Sequence, residues 1–76
     1  MERLLELLEE IRPDLDFENC QDLIDGHHLN SLDIISIVAE VEDAFDVTIP
    51  TVEVIPHNFN SAQNLWELIQ RLQEEG

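Results

Sequence analysis

The segment 31–45, SLDIISIVAEVEDAF, repeats apolar side chains at the spacing of one helix face. Four of them fall at positions i, i+4, i+7 and i+11: Ile34, Val38, Val41 and Phe45. This spacing is typical of a stripe that an α-helix buries, and Ile35 and Ile37 widen it. The segment therefore predicts an amphipathic helix over 31–45, and the rest of the chain has to supply an apolar surface against it.

The start of the chain has the same helical spacing. Its apolar face consists of Leu4, Leu5, Leu8 and Ile11. Pro13 disfavours helical conformation at Arg12, so we expect a helix over 2–11. The pattern is then lost as far as Asn30, and a connection of that length in a small domain is often functional. We expect four apolar residues to attach this connection to the core: Leu15, Phe17, Leu23 and Ile24.

The last helix is expected to begin at the sequence NSAQ, residues 60–63. Asn60 as the cap, with Gln63 three residues later, resembles a capping box. The predicted buried stripe of this helix is Ala62, Leu65, Trp66, Ile69 and Leu72. Glu67 and Arg71 are spaced for a surface pair along the helix.

One β-branched run, TVEVIP over 51–56, interrupts the helical pattern. It lies between Pro50 and Pro56 and has no second strand to pair with, so a short helical turn is expected there. The whole pattern predicts an all-α fold, a small four-helix bundle with three longer helices and one short third helix.

Acidic residues dominate the charge of this 76-residue chain, with 18 Asp and Glu against 3 Arg and a net charge of −15. Nucleic acids and anionic membranes repel such a chain, so we expect neither as a partner and expect partners with basic patches. No apolar segment reaches membrane-spanning length, and no signal peptide is recognisable. We therefore expect a cytoplasmic protein without membrane insertion, and a monomer.

The size of the chain argues against an enzyme, because a small core leaves no room for a deep catalytic pocket. Cys20 is the single cysteine, which excludes an internal disulfide, and no Cys/His cluster has the spacing of structural zinc. We predict no catalytic residue and no metal ligand.

Two constellations nevertheless have suitable residue types. Asp25, His28 and Ser31 could form a hydrolytic triad, but their spacing defines neither the geometry nor an oxyanion hole. A metal ion could be imagined among Asp25, His27, His28 and His57, although nothing in the sequence sets their distances.

Ser31 lies where the helix over 31–45 begins, and a serine at such a position usually caps the helix. Asn30 is at least as good a cap, and Asp33 follows it by three residues, where a helix start favours an acidic side chain. If Asn30 caps, Ser31 is the first helical residue and its hydroxyl is free for chemistry. Leu32 lies well off the buried stripe, so we expect it to be exposed beside the serine.

The segment LNSLDIISIVAEVEDAFDVTIP, residues 29–50, resembles the serine-bearing helix of acyl carrier proteins and related carrier domains. The signature of that family is Asp-Ser-Leu followed by an apolar helix that ends near Phe-Asp-x-x-Ile-Pro. Here Asn-Ser-Leu and FDVTIP stand in the same register, with Asn30 in place of the aspartate. The resemblance covers most of the chain, from the first helix through the long loop to the fourth helix.

The resemblance implies a fold of the acyl-carrier type, with residues 1–76 as a single carrier domain. It implies that a phosphopantetheinyl transferase attaches 4'-phosphopantetheine from coenzyme A to Ser31, and that the thiol of this arm carries acyl groups as thioesters. Such carriers serve fatty acid or polyketide biosynthesis, and their other partners load and transfer the acyl or aminoacyl group. Partner recognition would involve Asn30, Leu32, Asp33, Ile34, Glu40, Glu42 and Asp43, with basic side chains of the partner facing the carboxylates.

Two alternatives stay open at this point. The cargo could be an aminoacyl group, D-alanyl or peptidyl, rather than another acyl group. The chain could also be an acidic helical interaction module that uses the helix over 31–45 without any prosthetic group.

Overall fold

The structure is a computed structural model, and it describes residues 2–75. The helices in this part of the chain are α1 (Glu2–Ile11), α2 (Ser31–Phe45), α3 (Pro56–Phe59) and α4 (Ala62–Glu75), with a 3-10 turn at Thr51–Glu53. No strand occurs in residues 2–75, so the prediction of an all-α chain with three longer helices and a short third helix is confirmed there. The first two helices have the bounds that the sequence predicts.

The core lies where α1 packs against both α2 and α4, and α3 packs against α4. Six side chains at its centre are almost completely buried: Leu4, Leu8, Phe17, Ile37, Val41 and Ile69. Burying an apolar side chain of this size contributes about 1.5–3 kcal/mol relative to leaving it in water. These six side chains therefore hold the long loop and the three longer helices together.

The buried face of α2 is narrower than the sequence predicts. Ile37 and Val41 are buried, whereas Ile34, Val38 and Phe45 are only half-buried. The prediction that Ile35 widens the buried stripe is wrong, because Ile35 is 64% exposed. Ile35 is two residues from Ile37, about 200° around the helix, so Ile35 faces solvent when Ile37 faces the core.

The connection between α1 and α2 is attached to the core as predicted. Phe17 and Leu23 are buried, and Leu15 and Ile24 are half-buried against the same cluster. A chain segment without regular structure is thus held by its apolar side chains.

The cap of α4 is Ser61 and not Asn60, so the predicted cap is wrong by one residue. Ser61 Oγ accepts a hydrogen bond from the backbone N–H of Asn64 at 3.0 Å, which satisfies one of the free donors of the first turn. Gln63 does not complete a capping box, since its side-chain amide donates to Glu67 at 3.4 Å.

Asn60 instead fastens the long loop to the start of α4. Its Oδ1 accepts from the backbone N–H groups of Ile24 and Asp25, each at 3.1 Å, and its Nδ2 donates to the Asp25 carboxylate at 3.0 Å. The Asn60 carbonyl also accepts from the N–H of Leu23 at 2.9 Å. One residue therefore satisfies three consecutive backbone donors of the loop.

The buried face of α4 includes Leu68, which the predicted stripe lacks, while Trp66 and Leu72 are only half-buried. The Trp66 ring meets Phe45 of α2 edge to face, with centroids 5.8 Å apart. The predicted surface pair of Glu67 and Arg71 is absent from residues 2–75, because Arg71 reaches Glu53 of the 3-10 turn at 2.6 Å instead.

The run 51–56 forms a short helical turn as predicted, the 3-10 turn at Thr51–Glu53. Pro56 then occupies the first position of α3, where its missing N–H costs nothing. Val52 of the turn is 80% exposed, so this part of the fold presents apolar surface to solvent.

We predict that Asn60→Ala lowers the free energy of unfolding by about 1–3 kcal/mol, because it leaves the partly buried N–H of Ile24 and the exposed N–H of Asp25 without their acceptor. Asn19→Ala is the matched control, since the exposed Asn19 amide bonds only the Asp16 carboxylate. Its effect should stay within about 0.5 kcal/mol. Urea denaturation measures both, and equal effects would contradict the role of Asn60.

Candidate functional site

Asn30 caps α2 as the sequence predicts. Its side-chain oxygen accepts a hydrogen bond from the N–H of Asp33 at 2.9 Å, and Asp33 Oδ2 accepts from the N–H of Asn30 at 3.2 Å. The pair forms a complete capping box in which the acidic side chain also lies near the positive end of the helix dipole. The capping role is therefore filled without Ser31.

Ser31 is the first residue of α2 and is exposed. Within residues 2–75 its hydroxyl makes no hydrogen bond, and the backbone N–H groups of Ser31 and Leu32 have no acceptor there either. An alcohol in this position is reachable from solvent and lies beside free backbone donors of the first turn.

Arg12 links the end of α1 to the start of α2. Its guanidinium donates to Asp33 Oδ2 at 2.5 Å and to the carbonyl of His28 at 3.2 Å, and it pairs with Asp14 at 2.9 Å. Hydrogen bonds to Asp14 and Asp33 raise the pKa of Arg12, and the bond from Arg12 lowers the pKa of the Asp14 carboxyl. The positive charge thus lies at the first turn of α2 and offsets the charge of Asp33.

Two exposed apolar side chains follow Ser31 on α2. Leu32 is 74% exposed, as predicted, and the exposed Ile35 lies three residues further along the same side of α2. Ile34 is half-buried and lines a cavity of about 70 Å³ between α2 and α3. The other lining residues are Ile24, Val54, Ile55, Pro56 and Phe59.

The carboxylates predicted to meet partners fall into two groups. Glu40 and Asp43 are exposed and make no hydrogen bond or ion pair within the described part of the chain. Asp33 and Glu42 are half-buried and have internal roles, Asp33 in the capping box and Glu42 as acceptor of the Ile49 N–H at 2.8 Å. Glu42 thereby holds the chain where it leaves α2.

The structure does not assemble the hydrolytic triad. His28 faces Asp22, and the Asp25 carboxylate accepts from Asn60. No hydrogen bond connects either of them to Ser31 among residues 2–75.

Two residues of this site were not singled out by sequence reasoning. Arg12 carries a detectable signal, because an arginine just after the first helix is one of only three cations in an acidic chain. Ile35 is found only once the orientation of α2 is known.

A comparison with known proteins gives one relevant match. The chain is 39% identical over 41 residues to aminoacyl carrier protein 1 of Bradyrhizobium diazoefficiens. The resemblance to carrier proteins of the acyl carrier type is confirmed. The matched region is 54% of this chain and 46% of the relative, so this chain aligns with about half the length of that curated protein.

No family model and no solved structure matches the chain. Within residues 2–75, no helix combines the length and the apolar character that crossing a membrane requires. The carrier resemblance therefore rests on the partial match and on the motif around Ser31.

We predict that Arg12→Gln lowers the melting temperature and speeds amide hydrogen exchange in the first turn of α2, because it removes the link between Asp33 and α1. Arg3→Gln is the matched control, since it removes the same charge from an exposed position of α1. Both variants become equally more acidic, so equal losses would indicate a general charge effect and contradict the specific link.

Proposed function

We propose that residues 1–76 form a single, non-catalytic carrier domain of the acyl carrier type, which holds an acyl group on a 4'-phosphopantetheine arm bonded to Ser31 Oγ. The observation that carries this proposal is the exposed hydroxyl at the first residue of α2, which makes no hydrogen bond within residues 2–75 because Asn30 provides the cap. The motif and the partial match to an aminoacyl carrier protein support the same conclusion.

The residues around Ser31 fit such a group. A phosphodiester on Ser31 would lie next to the N–H groups of Ser31 and Leu32 at the positive end of a fifteen-residue helix, where negative charge is favourable. The Arg12 guanidinium offsets the Asp33 carboxylate, which would otherwise repel the phosphate. When bound, 4'-phosphopantetheine supplies a flexible arm with a terminal thiol that carries the cargo as a thioester.

The partner of the first step is a phosphopantetheinyl transferase that uses coenzyme A. Ser31 Oγ would form the new bond to the phosphorus that carries the pantetheine arm, while the pyrophosphate P–O bond of coenzyme A breaks and adenosine 3',5'-bisphosphate leaves. The serine proton would pass to a base of the transferase. Asn30 supports this step by holding the first turn of α2 in place, and it does so without the negative charge of an aspartate. A compatible transferase has to recognise the neutral residue.

The surface for partner enzymes extends from Ser31 along α2. Leu32 and Ile35 offer apolar contacts next to the arm, and Glu40 and Asp43 offer unpaired carboxylates further along the helix. Basic side chains of loading and transferring enzymes would meet these carboxylates, which chiefly increases the rate of encounter and sets partner choice. Asp33, Ile34 and Glu42 lie on the same helix but have internal contacts that limit their part.

An aminoacyl group is the cargo that the comparison favours. The relative with the partial match is named an aminoacyl carrier protein. A fatty acyl or polyketide group is the alternative.

We predict that purified protein incubated with coenzyme A, magnesium and a broad-specificity phosphopantetheinyl transferase gains the mass of one arm. Ser31→Ala should gain none, because the acceptor oxygen is absent. Ser36→Ala, which removes another exposed hydroxyl from α2, should be modified like the wild type. Intact-protein mass spectrometry measures the addition.

Absence of any addition to the wild type would favour the unmodified interaction module. An equal addition to Ser31→Ala would place the modification elsewhere. Circular dichroism of the three proteins confirms that each is folded, so that a missing addition reports on Ser31 and not on unfolding.

A further mass measurement identifies the cargo. We predict that protein isolated from its native host under mildly acidic conditions carries an arm with the added mass of an amino acid, which hydroxylamine releases. A released fatty acid or polyketide fragment would contradict the aminoacyl assignment while leaving the carrier role intact.

A further inference from the structure

A group of metal-ligating side chains lies on the long loop, away from the hydroxyl of Ser31. Cys20, Asp22 and His28 each offer one donor atom, and these three atoms all lie within 4.8 Å of one another. Cys20 Sγ donates to Asp22 Oδ1 at 3.2 Å, and His28 Nε2 lies 3.8 Å from the same oxygen. The sequence gives no zinc-type spacing for these residues, so the fold alone brings them together.

We propose that Cys20, Asp22 and His28 bind one divalent transition-metal ion, with Zn²⁺ as the expected ion. Thiolate, imidazole and carboxylate are the donor types that zinc takes in proteins, and three protein donors leave the fourth tetrahedral position to water. A tetrahedral site with ordinary zinc bond lengths separates its donors by about 3.3–3.6 Å. The separations from Asp22 Oδ1, 3.2 Å to Cys20 Sγ and 3.8 Å to His28 Nε2, lie close to this range, and all three donor atoms lie within 4.8 Å of one another. Small side-chain rotations would bring them to one ion.

The backbone of the loop holds the donors in this arrangement. The N–H of Gly26 donates to the carbonyl of Asp22 at 2.6 Å, and the N–H of His28 donates to the carbonyl of Leu23 at 3.0 Å, so the chain returns His28 towards Asp22. A Cβ at Gly26 would lie 2.6 Å from Asp22 Oδ2 and 2.9 Å from His28 Cδ2. The glycine therefore leaves the space in which these two side chains approach each other.

The donors are also accessible. The side chains of Asp22 and His28 are 64% and 43% exposed, and Cys20 is half-buried, so an ion can enter from solvent. On binding, the thiol proton is released to solvent and the sulfur electron pair forms the bond to the metal.

Cobalt tests the site, because Co²⁺ takes the same ligands as Zn²⁺ and reports a thiolate ligand by a charge-transfer absorption band. The titration contains excess Ca²⁺, which occupies the carboxylates of the acidic surface. Under these conditions we expect the reduced wild-type protein to bind one Co²⁺ and to show this band. Zn²⁺ should displace the bound Co²⁺. Cys20→Ser should lose the band. Asp22→Asn and His28→Asn should weaken binding by about tenfold or more.

His27→Asn is the matched control, because it removes the neighbouring imidazole from a left-handed position that asparagine tolerates. It should bind Co²⁺ like the wild type, and so should Ser31→Ala, which separates this site from the carrier role. The proposal would be overturned if the wild type failed to bind Co²⁺ or bound it without the thiolate band. It would also be overturned if Asp22→Asn and His28→Asn bound Co²⁺ as tightly as the wild type. Circular dichroism shows whether each variant remains folded.

Discussion

A single carboxylate oxygen, Asp33 Oδ2, joins three parts of the fold. It accepts from the N–H of Asn30, which completes the capping box of α2, and from the guanidinium of Arg12, which follows α1. Arg12 also holds the carbonyl of His28, so the last residues of the long loop are tied to the same point. Hydrogen bonds to an ionised carboxylate are stronger than those between neutral groups. These bonds therefore fix the start of α2. The position and exposure of the neighbouring serine follow from it.

Two of the few positive charges of the chain lie where elements meet. Of its three arginines, Arg12 joins α1 to α2 and Arg71 joins α4 to Glu53 of the 3-10 turn. The other carboxylates gain little from such pairs, and the net charge of −15 leaves most of them facing solvent. An acidic surface of this kind repels acidic molecules and attracts basic ones. Salt screens both forces and shortens the distance over which they act. The same charge that disfavours a compact fold therefore attracts basic molecules.

The spacing of apolar residues predicts α1 and α2, and Pro13 marks the end of α1 because it disfavours helix at Arg12. Both signals lie within a few residues of the helices that they predict. The cap of α2 is equally local, since Asn30 and Asp33 are three residues apart. The role of Asn60 could not be predicted, because its side chain bonds a loop residue 35 positions away, and that bond withdraws it from the cap of α4. The pair of Arg12 and Asp33, 21 positions apart, and the cluster around Asp22 depend in the same way on how the loop folds back.

The two serines at helix starts explain why position in the sequence is not enough to recognise a reactive hydroxyl. Ser61 precedes α4, is buried, and accepts the N–H of Asn64, so its oxygen is committed to the fold. Ser31 is exposed, and its hydroxyl is not needed as a cap because Asn30, one residue earlier, already accepts the corresponding N–H of α2. A helix start needs only one such acceptor at this position. Both serines directly follow an asparagine, so the two hydroxyls differ because the two asparagine side chains bond differently. Asn30 caps its own helix and leaves the Ser31 hydroxyl without that duty, whereas Asn60 bonds the long loop and leaves the cap of α4 to Ser61.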